Sequence, residues 1–437
     1  MKTLRTSRRN VWLGLMGGAA LLAAASAAFA QLEQMNTENS IVSSDHPAIA
    51  YLDKPTTDAG ARLSRRLERG ETKLEYQENG LGYLPSLLKE LGVNPDSQAL
   101  VFSKTSFQAV RISPRAPRAL YFNDDTMVGY VQGSDVLELA TLDPQQGYVF
   151  YTFENVESGH PVIDRRDVCL QCHHGPATAG IPGIMVASVY PDSSGMPFAR
   201  LGMPATDHRT RFQDRWGGWY VTGTHGGQHH QGNAMARDRQ YPDILDIKDT
   251  QNLTDLSKKF DTSPYLRPTS DIVALMTLEH QTRMTNLLTR VGWEGRIADY
   301  DHAPQGSPAR LNLEKDIETV VTYMLFADEA PLLDRVSGVS TYTQTFPQRG
   351  PRDAQGRSLR DFDLKTRLFR YPLSYMIYSD VFDNLPESVR GRIYQRLYDV
   401  LTSNDPGARF RRLSAQDRSN VLAIVRDTKK GLPEYWR

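Results

Sequence analysis

Two cysteines separated by two residues, with a histidine directly after the second, stand at Cys169-Leu170-Gln171-Cys172-His173. That spacing suits one reaction above others. Thiols three positions apart match the two vinyl groups on one edge of a porphyrin, and the residue that follows is delivered beneath the ring as an imidazole ligand to iron. The pattern predicts one covalent haem c on Cys169 and Cys172, with His173 as the proximal iron ligand. Two cysteines and a histidine fall into this register by accident about once in ten thousand chains of this length, so chance explains it poorly.

Other uses of the pair are weaker. These are the only two cysteines in the chain, and in an oxidising compartment they could instead pair as a structural disulfide. A thioredoxin-like dithiol wants its first cysteine at the start of a helix in a βαβ setting, which the flanking sequence does not offer. A zinc site needs further donors, and only histidines remain to supply them.

The sixth iron position decides what such a haem can do, and the sequence narrows its ligand to a short set. His225 lies in Arg215-Trp216-Gly217-Gly218-Trp219-Tyr220-Val221-Thr222-Gly223-Thr224-His225-Gly226, whose glycines would let backbone approach a flat cofactor and whose Arg215 could pair a propionate. The same stretch also reads as a tight turn with surface histidines. His280 shares a four-residue period with Met276, Met284 and Leu288 on one face of an expected helix. A lone histidine on such a face is more often a hydrogen-bonded core residue than a ligand. His208, Met203 and Met235 remain further options, whereas His160 and His174 flank the motif too closely to reach over.

The N-terminus reads as an export signal: Lys2, Arg5, Arg8 and Arg9, then an apolar run to Phe29, then Ala28-Phe29-Ala30 before Gln31. Ser7-Arg8-Arg9 resembles a twin-arginine signal, but haem attachment acts on an unfolded chain, which fits general secretion better. The expected location is the periplasm, with no membrane span after signal cleavage. Taking those four basic residues from 51 leaves 47 against 51 acidic ones, a net of −4 that gives no footing for nucleic acid.

The elements that must position the motif read as α+β. A small antiparallel β region lies before and around the haem segment, and the C-terminal half is largely helical. Residues 1–30 form the signal peptide, 31–98 a polar extension with one short helix at 81–91, 99–256 a β-rich haem-binding region and 257–437 a helical region. Apolar runs at 100–102, 109–112, 119–122, 128–131, 136–139 and 148–151, punctuated by Asn, Asp, Gly and Pro, predict strands, with another around 183–190. Helical spacing follows at 271–291 behind Ser270 as N-cap, then at 313–326, 386–401 and 415–428, the last with Ser414 and Asp417 as a capping box. Residues 347–360 read as a polar loop.

Together Leu120-Tyr121-Phe122-Asn123-Asp124, the Cys169–His173 motif, the 215–226 stretch and Leu278-Glu279-His280-Gln281 resemble a family of large exported single-haem cytochrome c domain proteins of Gram-negative bacteria. The resemblance covers about residues 100 to 300 and implies haem c, iron binding and electron transfer with periplasmic redox partner proteins. Dihaem cytochrome c peroxidases are a looser comparison, and this chain has one of the two motifs they need. Two readings follow. One is a six-coordinate electron carrier; the alternative is a haem enzyme with an open distal site acting on peroxide or another small oxidant, in which His225, or His280 with Glu279, would move protons. A structural or gas-sensing haem is a third.

Overall fold

The computed structural model of the protein describes residues 40–437, so the expected signal peptide and the first residues of the expected extension lie outside the described residues. The centre of the fold is a seven-stranded antiparallel sheet. Its strands are β1 (Ala99–Val101), β2 (Arg118–Phe122), β3 (Thr126–Tyr130), β4 (Val136–Asp143), β5 (Gly147–Glu154), β6 (Ile163–Arg165) and, after a two-stranded sheet of β7 (Val186–Ala187) and β8 (Ala205–Thr206), β9 (Trp219–Tyr220). The order is β6-β5-β4-β3-β2-β1-β9. Strands β1 to β6 follow one another as a meander, and the Asp143 carboxylate closes the β4–β5 turn by accepting from the Gln145 and Gln146 amides at 2.9 Å each.

Side chains alternate faces along each strand, and both faces are covered. Met127, Ala140, Leu142, Tyr148 and Phe150 point to one core, while Tyr121, Val128, Leu137, Leu139, Val149, Tyr151 and Phe153 point to the other. The second core is closed by Leu63 of helix α1 (Ala59–Glu68) and by Leu84, Leu87 and Leu88 of helix α2 (Leu84–Glu90). Helix α1 is not among the elements expected from the sequence, and only Gly60 and Leu63 of its ten residues are buried. Its start is set instead by Asp58, which accepts from the Ala61 amide at 3.1 Å.

The motif itself forms a single turn, α3 (Leu170–His173). The first core belongs to the helical half: α4 (Ile272–Tyr300), α5 (Pro308–Met324), α6 (Tyr342–Gln348), α7 (Asp380–Asp383), α8 (Glu387–Thr402) and α9 (Ala415–Thr428). The architecture is α+β. Helix α4 is buried almost all round, including Thr277, Glu279, His280, Gln281, Thr285, Asn286 and Arg290, so each of these polar side chains must be satisfied inside the protein.

Two sequence expectations are corrected. Residues 109–112 are a turn and not a strand, with Val110 90% exposed, because Ser106 and Gln108 turn the chain back to donate to the Glu138 carboxylate at 2.8 and 2.9 Å. The N-cap of α4 is Asp271 and not Ser270. One Asp271 oxygen takes the Val273 amide at 2.8 Å while the other takes the Val339 and Ser340 amides, and the Ser270 hydroxyl is committed to Leu100 N. The Ser414–Asp417 capping box forms as expected at the start of α9. Among the described residues no helix is long and apolar enough to cross a membrane.

Candidate functional site

After β6 the chain makes a 3-10 turn, Asp167–Cys169, that passes directly into α3. Positions i and i+3 of a helical turn share a face, so the two thiols point to one side. Leu170 packs inward, Cys169 is half-buried, and Cys172 is exposed; the two cysteines are not joined to each other. Burial pushes the Cys169 thiol up, and Glu138 adds to that. A dithiol oxidoreductase works through a thiolate of lowered pKa, so Cys169 is poorly set for that chemistry.

His173 is the most constrained residue of the motif. Its Nδ1 donates to the Gly183 carbonyl at 2.9 Å, and the Gly183 amide returns a bond to the His173 carbonyl at 2.8 Å. A carbonyl only accepts, so Nδ1 carries the proton and the Nε2 lone pair is left as the ligating atom. Burial lowers the imidazole pKa from its ordinary value and outweighs the Gly183 carbonyl, which raises it. Phe150 of β5 packs against the ring at 4.8 Å between centroids. This is the arrangement that second partners impose on metal-binding histidines.

Helix α4 holds the loop that carries Gly183. Asn286 accepts from Ile184 N and donates to Ile184 O at 2.8 Å, and Arg290, one turn on, donates to Ala179 O at 2.8 Å. A Cβ on Gly183 would stand 2.4 Å from Asn286 Oδ1, so a side chain there would push the carbonyl away from His173. Thr178 ties the loop to itself through Ile181 O at 2.7 Å. Gly183 and Asn286 were not legible as site residues, since a backbone carbonyl leaves no mark in side-chain identity.

Cys169, Cys172 and His173 fit a covalent haem by the chemistry of their donors: two unpaired thiols on one face and a neutral imidazole with one nitrogen free. Near them Arg118 and Glu138 pair across Gly129, and Arg118 Nε is buried without a partner. Among the described residues no group of three or more His, Cys, Asp or Glu side chains could hold a metal ion, which disfavours a zinc site. A haem iron takes four of its ligands from the porphyrin and needs no such group.

The two distal candidates are both spent on the protein. His225 is wholly buried, donating from Nδ1 to Gln228 O at 2.7 Å and accepting at Nε2 from Asn252 N at 3.1 Å. His280 bonds His208 Nδ1 and Ser374 Oγ, each at 2.8 Å, and stacks near Tyr323 and Phe326. Neither shares a hydrogen bond or ring contact with the motif among the described residues. Arg215, expected as a propionate partner, is buried and bonded to Glu279, Thr210 O and His208 O. The glycines of the 215–226 stretch admit other parts of the protein: a Cβ on Gly217 would meet Val189 O at 2.2 Å and one on Gly223 would meet Ile272 Cγ2 at 2.3 Å. Met203 is half exposed and Met235 partly buried.

Glu279 is buried beside Arg215, accepting from it at 3.2 Å and from Thr206 Oγ1 at 2.7 Å. Burial pushes its carboxyl up to about 7 against the pull of Arg215, while burial pushes its neighbour His280 down to about 3. Between pH 4.5 and 7 the folded chain therefore holds a proton on Glu279 that the unfolded chain releases, a contribution complete below 4.5 and lost as pH rises through about 7. Glu279→Gln removes it. On acidification through that window the variant is expected to lose about 1.4 kcal/mol more stability per pH unit than the parent. Urea unfolding at a series of pH values measures this, and parallel curves would show Glu279 ionised throughout.

Comparison with protein-family models, curated proteins and solved structures gives no match to this chain. The site is therefore read from its own geometry.

Proposed function

We propose that the protein is an exported, periplasmic c-type cytochrome that carries one haem c on Cys169 and Cys172, uses His173 as proximal ligand, and transfers electrons to periplasmic partner proteins. The observation that carries this reading is the bond from His173 Nδ1 to the Gly183 carbonyl, which leaves Nε2 as the free nitrogen directly after two unpaired thiols. Bound there, the haem would supply a one-electron couple. The chain's part is to orient the imidazole through Gly183, to raise its basicity by that same bond, and to cover it with Phe150. The resemblance to exported single-haem proteins agrees with this reading.

The open-site haem enzyme stays as a second reading on one observation. His225 and His280 use both ring nitrogens within the protein, so ligation by either would break two buried hydrogen bonds.

Absorption spectra of the full-length protein purified from a haem-exporting host, reduced with dithionite with and without carbon monoxide, test both readings. A c-type α-band that resists acid-acetone extraction and is unmoved by carbon monoxide is expected of the carrier. Ready carbon monoxide binding would make the enzyme the better reading, and a protein without haem would overturn both.

A further inference from the structure

Away from the motif, the loop after β1 and the chain around β9 enclose a cleft of about 420 Å³. That volume suits a small organic ligand. Its apolar walls are Pro114, Tyr220 and Met235, and its charged groups are Lys104, Arg115 and Lys259; no carboxylate lines it. Among the described residues neither Lys104 nor Arg115 pairs with a carboxylate, and Lys259 Nζ reaches only the Asp249 carbonyl at 3.3 Å. The carboxylate of Asp192, beside the lining serines, takes Ser194 N, Ser194 Oγ and Met196 N on one oxygen and faces Arg239 at 3.6 Å with the other.

The walls are built before any ligand arrives. Tyr220 donates to Pro114 O at 2.6 Å and sits between the rings of Phe102 and Phe260. Asn233 is held by Val221 N, Val221 O and Thr250 O, each at 2.8 Å. The 193–195 turn is pinned by Lys104 N on Gly195 O at 2.8 Å, with Gly195 at φ +87° and no space for a Cβ, which would stand 2.4 Å from Phe102 O. A rigid apolar cleft with three cations and no anion is complementary to a negatively charged head on an apolar body.

We propose that this cleft binds a small organic carboxylate with an aromatic or aliphatic body, its apolar part against Pro114 and Met235, which the buried Tyr220 backs, and its carboxylate among Lys104, Arg115 and Lys259. The test is calorimetric titration of the full-length protein with sodium benzoate, with benzylamine and inorganic phosphate as controls. Benzoate is expected to bind, benzylamine and phosphate at least about tenfold more weakly, and Arg115→Gln with Lys259→Gln to weaken benzoate about tenfold or more. Both substituted residues are exposed, so the fold is expected to survive, which circular dichroism checks. Benzoate affinity equal to that of benzylamine, or untouched by the double substitution, would overturn the site. Phosphate binding as tight as benzoate would overturn the assignment of an apolar-bodied ligand.

Discussion

Protein carrying serine at both Cys169 and Cys172 is expected to be recovered from a haem-exporting host without covalent haem, while either single substitution leaves a reduced and less uniform attachment. The haem-dependent peroxidase stain of a denaturing gel separates these outcomes, because only thioether-linked haem survives denaturation. The loss would be chemical and not a failure to fold. Cys172 is exposed and Cys169 only half-buried at the edge of the core, and substitutions at such positions cost about 1 kcal/mol, too little to unfold the protein. Circular dichroism of the double variant should therefore match that of the parent. Staining that persists in the double variant would remove haem c from the account of this protein.

The second large effect is expected far from the thiols, at Arg290. This side chain is 2% exposed and bonds Asp316 at 2.7 Å, Glu294 at 2.8 Å, the Ser40 carbonyl at 2.7 Å and the Ala179 carbonyl at 2.8 Å. It joins α4 to α5, to the N-terminal segment and to the loop behind the motif. Burial and the nearby Asp316 push the Glu294 carboxyl well above the ordinary range. Arg290→Met strands the Asp316 carboxylate and the buried Ala179 carbonyl, and a cost of about 3–5 kcal/mol in unfolding free energy is expected. Adding Asp316→Asn should recover much of that loss, since the stranded charge and not the missing attraction is the larger penalty. Urea unfolding of the three proteins decides it, and a single substitution costing under about 1 kcal/mol would show that water reaches this network.

Much of the scaffold was legible because its signals are local. The alternation in β2, β3, β4 and β5 reports which side of the sheet each residue faces, and Ser414 with Asp417 marks the start of α9 within four residues. The false strand at 109–112 looked the same in sequence; what cancels it is Glu138, about thirty residues away, drawing in Ser106 and Gln108. Helix α1 was missed although Leu63 and Leu67 stand four residues apart on one face, because two leucines among four charged residues make a short signal inside a polar stretch.

By itself the sequence determined an α+β chain and the register of two thiols and an imidazole, because thioether chemistry depends on positions within five residues. Only the tertiary structure decided the state of each histidine. His173 is left with one free nitrogen by a carbonyl ten residues on, while His280 is closed by His208 and Ser374, 72 and 94 residues away, and His225 by the backbone at Gln228 and Asn252. A histidine's role follows from which of its nitrogens is already bonded, and those bonds come from backbone groups and distant side chains that only folding brings together.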